Sequence, residues 1–243
     1  MPLIVAANRD EFHARPTQKM HWWVEKPDIL AGRDLLGGGT WLGVHRNGRF
    51  ATVTNFRDGV PPAGKLVSRG KLITDFLESE QSPAAFVRSI DGSDFAGFNL
   101  IVADLDGASY LSNRDGGCRD LEPGVYGLAN ATLDTPWPKV ERSREAFSAA
   151  LAAGLVNESS MLRILDDRQL ASAAEVETHG LPFKKAHAYS APFIVMPDYG
   201  TRCSTVLLRN REGRLNISEK RFKSDGHSTG QSDFYFDVDT ARS

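Results

Sequence analysis

"VAANRDEF", residues 5–12, joins the end of an apolar run to four consecutive polar or charged side chains. Leu3, Ile4, Val5, Ala6 and Ala7 read as a buried strand, and Asn8, Arg9, Asp10 and Glu11 close it. If the strand persists, its period of two puts Asn8 and Asp10 on one face and Arg9 on the other. Two readings compete at this point. Asn and Asp at a strand end commonly serve turns, and an adjacent Arg commonly makes a structural ion pair; alternatively, the four residues form a working site.

Downstream, residues 13–39 are rich in Pro, Gly and charge and predict a long ordered loop, with Trp22 and Trp23 as packing anchors. "TWLGVH" (40–45) and "RFATVT" (49–54) flank Asn47-Gly48 and predict a hairpin, with Asn55 just beyond it. Helical spacing in 68–79 and the pair Ser82-Pro83 predict two short helices. A second hairpin is expected around Asp106-Gly107, and "GVYGLAN" (124–130) reads as a strand ending at Asn130. A longer helix is expected from Trp137 or Pro138 to Ala153, with Asp134 and Thr135 available to cap it and Gly154 at its end. One more helix over 159–170 precedes strands at 193–196, 201–209 and 215–222, with another near "DFYFDV". Strands, then helices, then strands predict an α+β protein of antiparallel sheets, in one domain spanning 1–243.

Arg202 stands in an otherwise apolar strand, and a buried guanidinium needs an anionic partner or ligand. Either Asp10 or a substrate carboxylate would serve. Strict alternation groups Arg202 with Ser204 and Val206, and Thr201 with Cys203 and Thr205.

Several function classes lose support from the bulk numbers. With 29 basic against 31 acidic residues and no block of like charge, nucleic acid and anionic membrane are poor partners. The N-terminal apolar stretch is too short for a signal-peptide core, and no segment approaches the roughly 20 apolar residues of a membrane span. A cytoplasmic protein with Cys118 and Cys203 as free thiols is the expectation. The six histidines show no zinc spacing, so no metal site is expected. "LLGGGTW" matches no phosphate-binding pattern and suggests close backbone approach instead, and no GxSxG elbow is present.

Taken together, "AANRDEF" with Arg15-Pro16, "AGRDLLGGGTWLGV" (31–44), "TNFRD" (54–58), "GFNLIVAD" (97–104), "YGLANATLDTPWPKV" (126–140) and "YGTRCSTVLL" (199–208) resemble the NRDE family, also called the transport and Golgi organisation protein 2 family. The likeness runs in order from Leu3 to about Phe222. It implies an N-terminal-nucleophile hydrolase fold, a four-layer αββα sandwich of two antiparallel sheets. By similarity to the bile-salt and penicillin amidases of that superfamily, Arg9 and Asp10 would lie beside the nucleophile. Asn130 would be an oxyanion or substrate donor and Arg202 a second cation, and Asn8 and Asn55 are further ligand-binding candidates. Family members usually begin Met-Cys about a dozen residues before this segment, whereas this chain opens inside it at Met1-Pro2. The resemblance therefore implies that a first strand and the attacking cysteine are missing from this chain. It also implies a ligand-handling role, with haem as a possible ligand and no required cofactor, or hydrolysis of a small or lipidic amide.

Overall fold

The computed structural model describes residues 2–57 and 67–239. Asp58, which closes the "TNFRD" segment, lies outside them. Among the described residues the chain is an α+β protein built on two antiparallel sheets. The smaller sheet contains β1 (Leu3–Phe12), β9 (Tyr199–Arg209), β10 (Arg214–Phe222) and β11 (Ser228–Asp237), in that spatial order. The larger sheet is a meander, β2 (Thr17–Trp22), β3 (Ile29–Asp34), β4 (Leu42–His45), β5 (Phe50–Asn55), β6 (Phe98–Ala103), β7 (Ala108–Ser112) and β8 (Gly117–Asp120).

Period-two alternation gives each sheet two apolar faces, and three clusters bury them. The two sheets meet across Met20, Leu30, Leu42, Val44 and Phe50 on one side and Leu207, Leu215 and Ile217 on the other. The outer face of the large sheet packs on α1 (Gly70–Glu78) and α2 (Pro83–Ser89) through Ile73, Phe76, Phe86 and Phe98. The outer face of the small sheet packs on α3 (Pro138–Ala152) and α4 (Glu158–Leu165) through Ile4, Ala6, Val206, Phe147 and Met161. The result is the expected four-layer αββα order. A short α5 (Phe183–Ala188) follows these helices and leads into β9.

Local chemistry explains most of the boundaries. Gly48 takes a positive φ in the β4–β5 turn, as Asn47-Gly48 predicted. Ser82 caps α2 by accepting from the Ala85 amide at 3.3 Å, with Pro83 at the first helical position. Gly154 ends α3 with φ 67°. The β6–β7 turn is closed by Asp104 rather than Asp106: its carboxylate accepts from the Asp106 and Gly107 amides, both at 2.9 Å.

Four expectations are corrected. Residues 13–39 are not one loop but contain β2 and β3. Their Gly and Ala content hid β3; Gly32 is there because the Trp41 ring occupies the place of a Cβ. "GVYGLAN" is not a strand; its backbone leaves the sheet, and Gly127 pairs instead with Asp134. The expected strand at 193–196 is reduced to a single bridge, Val195 to Gly200. Asp134 and Thr135 do not cap α3, whose N-cap is Trp137; Asp134 sits at φ 63°, accepts from the Gly127 amide at 2.8 Å and pairs with Arg144.

Candidate functional site

β1 remains a strand through Phe12, so Asn8 and Asp10 do share a face. That face is turned to the helices: Asn8 donates to the carbonyls of Leu165 and Pro192 at 2.8 and 2.9 Å, and accepts from the Ser204 hydroxyl. Asn8 is thereby fully engaged in tying β1 to α4.

The pairing of β1 with β9 contains one irregularity. Arg9 lies opposite Cys203, but Asp10 lies opposite Thr201, leaving Arg202 as an extra residue in β9. Such a bulge resets which side of the sheet each side chain faces. Thr201 therefore joins the Asn8–Asp10–Ser204 face instead of the Cys203 face, contrary to the strict alternation. Its hydroxyl donates to Asp10 at 2.7 Å and accepts from the Ile194 amide at 2.9 Å. Arg202, freed from the ladder, donates to the carbonyls of Phe12 and Arg15 at 2.7 and 3.2 Å. It is partly exposed and holds the β1–β2 turn; it is not the partner of Asp10.

Asp10 is at the centre of a charged cluster. Burial pushes its carboxyl pKa up, while Lys139, the Thr201 hydrogen bond, Arg57 and Arg9 pull it back. Lys139 is the second residue of α3, where the positive helix end disfavours a cation. Burial lowers its pKa to about 8, with Asp10 opposing that shift and Arg57 adding to it. Its ammonium donates to the Tyr189 carbonyl at 3.1 Å. Arg57 lies over the Tyr189 ring at 5.0 Å and 5.7 Å from Trp137. Tyr189 in turn packs on Tyr199, centroids 4.9 Å apart, and the Tyr199 hydroxyl donates to the Asp10 carbonyl at 3.2 Å. Burial, then the Asp10 charge, raises the Tyr199 phenol. Asp10, Arg57, Lys139 and Tyr199 all keep part of their surface accessible, so the cluster they form is not sealed from solvent.

Asn130 and Asn55 meet at its rim. Asn130 donates to the Asn55 carbonyl at 3.0 Å, and the Asn130 carbonyl accepts from the Arg57 amide at 2.7 Å. The Arg57 guanidinium also reaches the Asn130 side-chain oxygen at 3.4 Å. The loop carrying Asn130 is anchored from below. Asn99, fully buried on β6, donates to the Ala131 carbonyl at 2.8 Å and accepts from the Tyr110 hydroxyl at 2.7 Å. Thr54 donates to Ala129 at 3.0 Å.

Arg9 points the other way, between the sheets. Its guanidinium lies over the Trp41 ring at 4.2 Å, and the residue is only 9% exposed. Nη1 has no hydrogen-bond partner among the described residues. Burial lowers the Arg9 pKa, with Cys203 and Glu11 opposing that shift. The expected site residues thus divide: Asp10, Asn130 and Asn55 belong to one cluster through Arg57, while Arg9 points between the sheets and Arg202 holds the β1–β2 turn. Arg57 and Lys139 were missed as site residues, although both stand inside the segments "TNFRD" and "YGLANATLDTPWPKV". Only the fold brings them to Asp10.

Cys118 and Cys203 are free, and no cluster of three His, Cys, Asp or Glu groups suited to a metal ion occurs among the described residues. His13 is bonded to the Met196 carbonyl at 3.1 Å, and His21 to that of Lys19 at 2.8 Å. Among the described residues no helix is long and apolar enough to cross a membrane.

Residues 1–224 match the family described as Transport and Golgi organisation 2. The chain belongs to that family. Transport and Golgi organisation 2 relatives include the Bos taurus homolog, 37% identical over 90% of this chain and 86% of its own length. The Homo sapiens homolog is 35% identical with the same coverage, and the Drosophila melanogaster protein is 26% identical over 90% of this chain and 85% of its own. Among solved structures, a cysteine mutant of conjugated bile acid hydrolase from Clostridium perfringens aligns with TM-score 0.49 and 7% identity, over 98% of this chain and 84% of that one.

Proposed function

We propose that this member of the Transport and Golgi organisation 2 family is a cytoplasmic ligand-handling protein. Its ligand is a small molecule bearing carboxylates, and haem, with its two propionates, is the favoured case. The observation that carries this reading is Arg9: a guanidinium that is 9% exposed, stacked on Trp41, with Nη1 unpartnered among the described residues. A buried donor left without an acceptor is costly, and a carboxylate is the group whose geometry answers a guanidinium best. Arg202, held at the β1–β2 turn, supplies a second cation on the approach.

A haem titration followed by absorbance tests this reading. A saturable spectral change is expected, weakened about ten- to a hundredfold in Arg9→Ala, as loss of one charge-assisted hydrogen bond predicts. A smaller, several-fold loss is expected in Arg202→Ala. No saturable change, or a change that neither substitution affects, would end the proposal.

A second reading, an N-terminal cysteine hydrolase of a small or lipidic amide, is favoured by one feature. β1 is an outer strand whose far edge pairs with nothing among the described residues. An added strand there would bring an attacking residue toward Asp10 and Asn130. Adding ahead of Met1 a segment that begins Met-Cys, as family members usually do, should then yield turnover on a panel of acyl amides, abolished by replacing that cysteine. An inert extended protein would remove this reading.

A further inference from the structure

Lys139 differs from every other lysine described in this chain. It occupies the first turn of α3, keeps part of its surface accessible, and belongs to a cluster carrying one carboxyl and one guanidinium. Asp10 from β1 and Arg57 after β5 act on it through space, with no direct ion pair to either among the described residues. The Tyr189 carbonyl at the end of α5 accepts its hydrogen bond, Tyr199 from β9 packs on the Tyr189 ring, and the Lys185 ammonium on α5 lies 5.6 Å from that ring. An amine that hydrogen-bonds only a carbonyl, beside a carboxyl able to hold a proton, is the arrangement of a nucleophilic lysine.

We propose that Lys139 is a carbonyl-reactive amine, forming an imine with small aldehydes or α-keto acids that carry a negative charge beside the carbonyl. The neutral Nζ attacks the carbonyl carbon, a carbon–nitrogen bond forms, and the carbonyl oxygen takes up the proton released from nitrogen. The resulting carbinolamine hydroxyl leaves as water with a proton from the Asp10 carboxyl. The second nitrogen proton returns to Asp10, so one water is released and nothing is oxidised or reduced. Arg57, with Asn130 beside it, would hold the substrate's anionic group, which sets the preference for charged over neutral carbonyl compounds. Burial favours the reactive form by lowering the pKa of Lys139 to about 8.

The test is reductive trapping on the intact protein without haem, which separates it from the spectral titration above. Glyoxylate or propanal is added with sodium cyanoborohydride, whose hydride reduces any imine to a stable amine, and labelled lysines are mapped by mass spectrometry. Lys139 should be labelled roughly tenfold or more faster than the surface residues Lys26 and Lys71, because the lowered pKa leaves more of it neutral. Its labelling rate should rise with a midpoint near pH 8. Glyoxylate should be favoured over propanal at Lys139 alone, and Arg57→Ala should erase that preference. Asp10→Asn should slow labelling several-fold while leaving Lys26 and Lys71 unchanged. Labelling of Lys139 no faster than that of Lys71, or a rate that follows an ordinary lysine up to high pH, would overturn the assignment.

Discussion

Gly39→Ala is expected to destabilise the protein by about 3 kcal/mol, at the upper end for forced overpacking. For a chain of this size the melting temperature should fall by roughly 6–12 °C. A Cβ on Gly39 would stand 2.6 Å from the Gly70 carbonyl carbon and 2.8 Å from its oxygen, and one on Gly70 would meet the Thr40 backbone at 2.8 Å. Backbone faces backbone at this crossing, so no side chain can swing aside. The start of α1 is docked there without a side-chain cap, and moving it would disturb the Ile73 and Phe76 packing behind it. Gly117→Ala is the control, because nothing lies within 4 Å of the position its Cβ would take. Thermal unfolding of the two variants decides the point; a Gly39→Ala midpoint equal to that of Gly117→Ala would refute the close-approach explanation.

Asn99→Ala should have a comparable effect on stability and a more selective one on the site. It leaves the Ala131 carbonyl without the Asn99 donor and takes from the Tyr110 hydroxyl the shorter of its two acceptors, with Asp115 at 3.3 Å remaining, at about 1–3 kcal/mol per group. Urea unfolding should show a loss of about 3 kcal/mol in all. Native-state hydrogen exchange should show more: the amides of Arg57, Gly127 and Asp134, which bond within or against the 127–134 loop, should exchange faster than those of β9. Uniform acceleration across both sheets would mean that Asn99 supports the fold generally and not the loop that presents Asn130.

Hairpins and helices were legible in the sequence where one local rule sufficed. Asn47-Gly48 could make its turn without help from the rest of the chain, and Ser82-Pro83 start a helix on chemistry confined to four residues. β3 was not legible because its reason is remote: Gly32 reads as a strand breaker until Trp41 is laid across it. "GVYGLAN" failed in the opposite direction. Its alternating apolar residues suggest a strand, but buried Asn99 and half-buried Thr54 draw the backbone out toward the Asp10 cluster.

The site was legible in its composition more than in its wiring. Alternation correctly placed Asn8 and Asp10 together, since β1 stays extended to Phe12. It could not show that Asn8 would be used up on Leu165, Pro192 and Ser204. Nor could it show that Arg202 would bind backbone carbonyls of the β1–β2 turn. Arg57 and Lys139 lie 47 and 129 positions from Asp10 by subtraction of their numbers, and no periodicity spans such distances. Their perturbed ionisation arises only when the end of β5, the first turn of α3 and β1 converge. Family motifs marked segments that the fold brings to Asp10, and only the fold shows which of their residues meet there.

The extra residue at Arg202 makes β9 a strand with two phases. From Cys203 onward its odd-numbered side chains serve the interior between the sheets; before Arg202 the odd-numbered Tyr199 and Thr201 bond to Asp10. Homologous chains aligned with a one-residue gap on either side of this point would appear to exchange a hydroxyl for a thiol beside the carboxyl, although neither chain had changed a side chain there. Position in space, counted outward from the bulge, is therefore the coordinate in which this site must be compared between relatives.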